Sequence, residues 1–217
     1  MISNNFKLRT STSIVLLFIL YLAIINKFTF AYLLLLVSIF SFIEFSQLIK
    51  KISSNNFARV LSNILFIIYI SVICLFFFTL SNYLFLKYIL FSLLLTCIAS
   101  DVGGYVFGKI FKGPKIFSIS PKKTASGAIG SIICSIGVFT SLIFFLTNNF
   151  NLYFFLIGFL TSIASQIGDL FFSFLKRKAK VKDTGKFLPG HGGFLDRIDG
   201  ILLGLPAGFL STVFFLI

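Results

Sequence analysis

Acid is what this sequence has least of. Six carboxylates face nineteen Lys and Arg in 217 residues, for a formal charge of +13. There is one histidine, His191, and three cysteines, Cys74, Cys97 and Cys134, each inside an apolar segment. The cysteines do not stand at metal-ligand spacing, so neither a disulfide framework nor a zinc site is supported. A lone histidine cannot complete a zinc site either. No run alternates with period two over a strand length, which argues against a barrel. No small-x-small cleavage site follows the apolar run behind Lys7 and Arg9; Ile24-Ile25-Asn26-Lys27 closes it, and an uncleaved first span is expected. No internal repeat is visible, which weighs against an inverted-repeat transporter. The positive charge raises nucleic acid as a partner. The basic residues, however, sit in short loops between apolar runs, so they report topology and no nucleic-acid partner is expected.

What is there is apolar. The chain is 58% hydrophobic, with 32 phenylalanines and a mean hydropathy of +1.04. That composition belongs to an integral membrane protein. Spanning about 30 Å of hydrocarbon takes roughly 20 residues of helix. Seven runs qualify: 11–27, 28–48, 60–81, 84–108, 126–147, 151–175 and 198–217. The expected fold is all-α, a polytopic transmembrane bundle of about seven spans. Taken in order through tails and loops, basic residues fall 17 on one side and 2 on the other. By the positive-inside rule the N-terminus is cytoplasmic. Residues 1–95 are read as N-terminal membrane helices. Residues 96–217 are read as a catalytic membrane region with cytoplasmic loops 109–124 and 176–197.

The scarce acids are not scattered. Asp169, Asp183, Asp196 and Asp199 fall within 31 residues, and carboxylates beside lipid point to a functional site. In the sixth run Ser162, Ser165, Gln166, Asp169, Ser173 and Arg177 recur at helical spacing and form one polar stripe. Small polar residues alone would make a helix contact; the aspartate adds an ion or proton role. The next loop carries Lys176, Arg177, Lys178, Lys180, Lys182 and Asp183, then Pro189-Gly190-His191-Gly192-Gly193, then Asp196-Arg197. Basic residues after a span are explained by topology or anionic lipid; the rest of the loop is not. Its glycines let backbone amides approach an anion. His191 is read as a phosphate donor or orienting group. Asp196 and Asp199 share a face at a helix start, where a metal is a natural partner and an N-cap is the plain alternative. The other cytoplasmic loop contains Ser120-Pro121-Lys122-Lys123-Thr124 before Gly127, a phosphate-binding turn in kind. Upstream, Gly104 and Gly108 read as a packing face, and Asp101 requires a polar surrounding or partner.

From Ser173 to Asp199 the sequence resembles the signature of phosphatidate cytidylyltransferases, also called CDP-diacylglycerol synthases. That signature runs roughly S-x-x-K-R-x-x-x-x-K-D-x-G-x-x-x-P-G-H-G-G-x-x-D-R-x-D, and each fixed position is matched. Gly168-Asp169, Ser120 to Thr124, and Asp101 to Gly108 are similar as well, so the resemblance covers about residues 95–217. One departure is Ser126, where the family often has an acid. The resemblance implies condensation of CTP with phosphatidate to give CDP-diacylglycerol and pyrophosphate, on the cytoplasmic face of a bacterial inner membrane. It implies Mg2+, with a second cation as an option, held by Asp169 and Asp196, with Asp183 and Asp199 as further or outer ligands. Lys182, Arg197 and His191 join the two aspartates as catalytic candidates. Candidate substrate contacts are Asp101, Ser120, Lys122, Lys123, Thr124, Ser173, Lys176, Arg177, Gly192 and Gly193. Membrane lipids are expected partners, and a homodimer is left open. The alternatives are another CTP-dependent lipid enzyme (a polyprenol or phytol kinase, or a CDP-ether-lipid synthase) and a small ion channel or transporter.

Overall fold

The computed structural model describes residues 15, 18–116, 120, 123–185, 187 and 192–216. Six long helices run through them: α1 (Lys27–Ile52), α2 (Asn56–Leu80), α3 (Leu84–Phe111), α4 (Ala125–Thr147), α5 (Tyr153–Lys178) and α6 (Leu195–Leu216). Each is long and apolar enough to cross a membrane. Residues 18–25 are helical as well; the rest of the run expected at 11–27 reaches outside the described residues. Helix is what lipid demands, because the backbone must satisfy its own hydrogen bonds there. No strand occurs among the described residues, so the protein is a polytopic helical membrane protein.

The breaks between helices have local causes. Asn26 is extended, and its side chain accepts the Phe28 amide at 2.9 Å, capping α1. That cap is why the first two expected runs part at Lys27. Asn55 caps α2 in the same way through Phe57, and α2 therefore starts four residues ahead of the expected 60. Thr124 caps α4 by accepting the Gly127 amide. Asn148 ends α4 in the left-handed region at φ 52°, which asparagine tolerates better than most residues.

The chain divides into two compact units. The first comprises the described residues up to Tyr83 together with Leu175–Arg197. In it α1 and α2 form an antiparallel pair, with Phe45 stacked on Phe66 at 3.9 Å and the Ser38 hydroxyl donating to Cys74 Sγ. The second comprises Leu84–Phe174 with Ile198–Ile217. Its main seam joins α3 to α4 through small residues. A Cβ on Gly103 would lie 2.7 Å from the Gly130 carbonyl oxygen, and one on Gly127 would lie 2.7 Å from that of Gly104. Close backbone approach of this kind is how membrane helices gain packing without a hydrophobic drive. It bears out the reading of Gly104 as a packing residue.

Candidate functional site

In the second unit the seam between α3 and α4 opens into a cavity of about 290 Å³. It is near the lower end of the range for small-molecule sites. Asp101 and Gly104 come from α3, Ser131 from α4, and Gln166 and Asp169 from α5. The loop between α3 and α4 adds Ser120, Lys123 and Thr124. That loop turns back on itself: Lys115 pairs with Thr124 in an isolated antiparallel bridge, the Ala125 amide donates to the Pro114 carbonyl, and the Lys123 amide donates to the Ser120 carbonyl. The turn brings the hydroxyls and the Lys123 ammonium to the helix start. Lys122 lies outside the described residues.

At the cavity wall Lys123 Nζ stands 2.6 Å from Asp169 Oδ2, with both side chains about a quarter to a third exposed. Ser173 donates to Asp169 Oδ1 at 3.3 Å. A pair this open contributes only about 0–1 kcal/mol to stability. It is held ready and can be exchanged for other partners at little cost. Behind it the stripe on α5 is buried. Ser162 shares a hydrogen bond with Ser100 at 3.0 Å, and the Gln166 amide donates to Ser162 Oγ and to the Ala128 carbonyl. Ser162 and Gln166 thus tie the helix to its neighbours, while Asp169 faces the cavity. The departure at Ser126 also has a local account. The Ser126 hydroxyl accepts the Gly113 amide at 3.2 Å and shares a hydrogen bond with Thr124, so it supplies an acceptor where the family often has a carboxylate.

The first unit holds the loop that follows α5. Lys176 Nζ lies 2.7 Å from Asp196 Oδ1, with side-chain exposures of 12% and 7%. Asp196 Oδ2 accepts the amides of Thr184 and Gly193 at 2.8 and 3.2 Å. Asp196 therefore closes the loop back onto the start of α6. A third participant was not apparent from sequence. Glu44 of α1 is fully buried; it accepts the Thr184 hydroxyl at 2.6 Å and the Phe194 and Leu195 amides at 2.9 and 2.8 Å. The only local signal was a glutamate in the middle of an apolar run. Arg177, Lys182, Asp183 and Arg197 are exposed around this knot. Gly192 has φ +87°, a conformation that favours glycine. A Cβ there would lie 3.5 Å from the Asp183 carboxyl carbon. His191 lies outside the described residues.

Asp199 belongs to the second unit. It is buried, and its Oδ1 accepts the Gly200 amide at 2.9 Å. Its carbonyl oxygen would sit 2.6 Å from a Cβ on Gly168, so α5 and α6 approach closely there. Among the described residues no three His, Cys, Asp or Glu side chains gather as a ready-made metal cage. The cavity's donors are nevertheless carboxylate, hydroxyl and amide oxygens, with Asp101 and Asp169 on its wall. That set fits magnesium, which takes one or two carboxylates and completes its shell with water and substrate phosphate. Asp196 is more tightly engaged, by one ammonium and two amides.

The profile of a family described as "Cytidylyltransferase family" matches residues 3–215. Over 123 residues the chain is 43% identical to a phosphatidate cytidylyltransferase of Staphylococcus haemolyticus (strain JCSC1435), covering 56% of this chain and 47% of that protein. It is 42% identical to one from Staphylococcus aureus (strain COL) with the same coverage. It is 41% identical over 121 residues to one from Mycobacterium bovis (strain ATCC BAA-935 / AF2122/97), covering 55% and 40%. The chain thus spans about half the length of the curated relatives it matches, or less.

Proposed function

The chain belongs to the cytidylyltransferase family, and on that premise we propose that it transfers the cytidylyl group of CTP to phosphatidate, giving CDP-diacylglycerol and pyrophosphate. The observation that carries this reading is the open Lys123–Asp169 pair on a cavity that also presents Asp101, Ser120 and Thr124, within a membrane-helix unit. The relatives named for this reaction support it.

The reaction joins two polyanions. A phosphate oxygen of phosphatidate attacks the α-phosphorus of CTP, and pyrophosphate leaves. No covalent help from the protein is needed; positioning and charge compensation suffice. Lys123 and the hydroxyls of Ser120 and Thr124 suit phosphate oxygens. Lys122 adds positive charge beside Lys123; Lys176, Arg177, Lys182 and Arg197 add it in and around the α5–α6 connection, and His191 is a further donor. Asp169, with Asp101 beside it on the cavity wall, would hold a magnesium ion; Asp196, Asp183 and Asp199 are the remaining carboxylates for it or for a second cation. Such an ion would offset the charge that builds up on the phosphates. The acyl tails stay in the leaflet. On this reading the chemistry lies on the cytoplasmic face of a bacterial inner membrane, and the basic loops support that side.

The test is a product assay. Purified protein with cytidine-labelled CTP, magnesium and phosphatidate should yield a labelled CDP-lipid and free pyrophosphate. A lipid phosphate with CDP instead would make it a CTP-dependent kinase. No lipid product of either kind would remove the enzymatic reading.

A further inference from the structure

We propose that Glu44, in the helix α1 far upstream of the signature, is a positioning residue for the signature loop. It holds Asp196 and Lys176 in place through Thr184 and the start of α6. The consequence for turnover rests on the reading given under Proposed function.

Glu44 is fully buried and lies in an apolar helix. A buried carboxylate is costly unless its oxygens are satisfied, and here both are. Oε2 accepts from the Thr184 hydroxyl and the Leu195 amide, and Oε1 accepts from the Phe194 amide. These two amides belong to the residue just before α6 and to its first residue, at the end where the helix has unsatisfied donors and its dipole favours a negative charge. Glu44 thus caps from a distance a helix whose own sequence supplies no Ser or Asn at that point.

Thr184 links this cap to the candidate catalytic aspartate. Its hydroxyl goes to Glu44 and its amide goes to Asp196. Asp196 in turn takes the Gly193 amide and the Lys176 ammonium. Two carboxylates therefore close one knot from opposite sides, with Thr184 as the shared member. The glycines fit the same purpose. A Cβ on Gly193 would lie 2.7 Å from Glu44 Oε2, and one on Gly185 would run into Glu44 Oε1. At Gly193 the anion brought close to the Gly-rich turn is thus one the chain itself provides.

A residue that only stabilised the fold would lower the yield of folded protein and leave each folded molecule fully active. A positioning residue lowers kcat in the folded fraction. Glu44→Gln keeps size and one acceptor but loses the charge. Thr184→Val removes one hydroxyl at nearly constant shape. Losing a charge-assisted hydrogen bond is typically worth about tenfold or more. Both variants of the full chain, in detergent micelles, should therefore lose at least about tenfold in kcat per folded molecule. Thr184→Ser should restore most of it. The double variant should be little worse than Glu44→Gln, because both act through one link. Hydrogen–deuterium exchange at the Phe194 and Leu195 amides should rise at least about tenfold in Glu44→Gln, with α3 and α4 unchanged. Wild-type kcat in Thr184→Val would overturn the proposal, as would unchanged exchange at those amides in Glu44→Gln. If Glu44→Gln gives no folded protein, the Val and Ser variants of Thr184 decide the matter. If the wild type forms no CDP-lipid, the activity reading fails by itself, and the exchange measurement still decides whether Glu44 holds the loop.

Discussion

By the resemblance Asp169 and Asp196 stand alike, both first-choice metal ligands, yet their surroundings set them apart. Asp169 faces a cavity and shares one ammonium in partial solvent. Asp196 is nearly buried, and both its oxygens take donors from the chain. The same substitution should therefore have different consequences. If the proposed reaction and the proposed metal role of Asp169 hold, Asp169→Asn should cut CDP-lipid formation to below about one part in a hundred, since losing a metal ligand costs several kcal/mol in the transition state. Its unfolding temperature should stay near wild type, because an open pair contributes about 0–1 kcal/mol. Asp196→Asn should also lose turnover, but it removes the carboxylate charge that stands 2.7 Å from the Lys176 ammonium in a mostly buried setting. Losing the charge of a largely buried partner costs more than opening an exposed pair and should lower the unfolding temperature clearly. Turnover and thermal unfolding in the same detergent check both. Equal unfolding temperatures in the two variants would refute the contrast. The sequence offered no means of separating them: it gives charge and spacing, whereas exposure depends on what the fold places around each side chain.

At the scale of elements, the spans were legible because lipid imposes one requirement, an apolar helix of a certain length. Their ends were less so, and each shift has a cause. The start of α2 moved because Asn55 caps it locally, a signal present in the sequence. The start of α6 lies at Leu195 and not at 198, and its first amides are held by Glu44, 150 positions upstream. No local pattern carries that. The α3–α4 seam was half legible: Gly104 and Gly108 gave one side, while the partners Gly127 and Gly130 required the pairing itself. This seam also roofs the cavity, so it can be tested through activity. Gly127→Ala puts a Cβ 2.7 Å from the Gly104 carbonyl oxygen. Backbone cannot swing aside, so the helices must part, and overpacking of this kind costs about 1–3 kcal/mol. Gly137 lies on the same helix with nothing within 4 Å of its would-be Cβ; Gly137→Ala should be neutral or gain up to about 1 kcal/mol in helix propensity. The expected outcome is a lowered unfolding temperature and reduced turnover for Gly127→Ala and neither for Gly137→Ala. Similar behaviour of the two would show that the seam does not govern the cavity.

For the whole molecule, the proposed chemistry depends on which side of the membrane each loop occupies. The basic residues divide unequally among the connections between the described helices. Lys50, Lys51 and Arg59 flank the α1–α2 connection, and Lys109, Lys112, Lys115 and Lys123 flank the α3–α4 connection. Lys176, Arg177, Lys178, Lys180, Lys182 and Arg197 flank the α5–α6 connection. The α2–α3 connection has only Lys87 near it, and the α4–α5 connection has no basic residue. Short loops rich in Lys and Arg stay on the cytoplasmic side. On that rule both loops with candidate phosphate contacts would share the side of the nucleotide, as the proposed chemistry requires. Six helices give alternation from α1 onward whatever the residues before Lys27 do, so the prediction does not depend on the first span. Reporter fusions at Ser54 and Lys180 should read cytoplasmic, and fusions at Asn82 and Asn148 should read external. An external reading at Lys180 would place the signature loop away from its nucleotide and would sink the proposed reaction along with the topology. An external reading at Ser54 alone would put the Glu44 helix in the opposite orientation, and Glu44 could not then cap α6 from within the same membrane half.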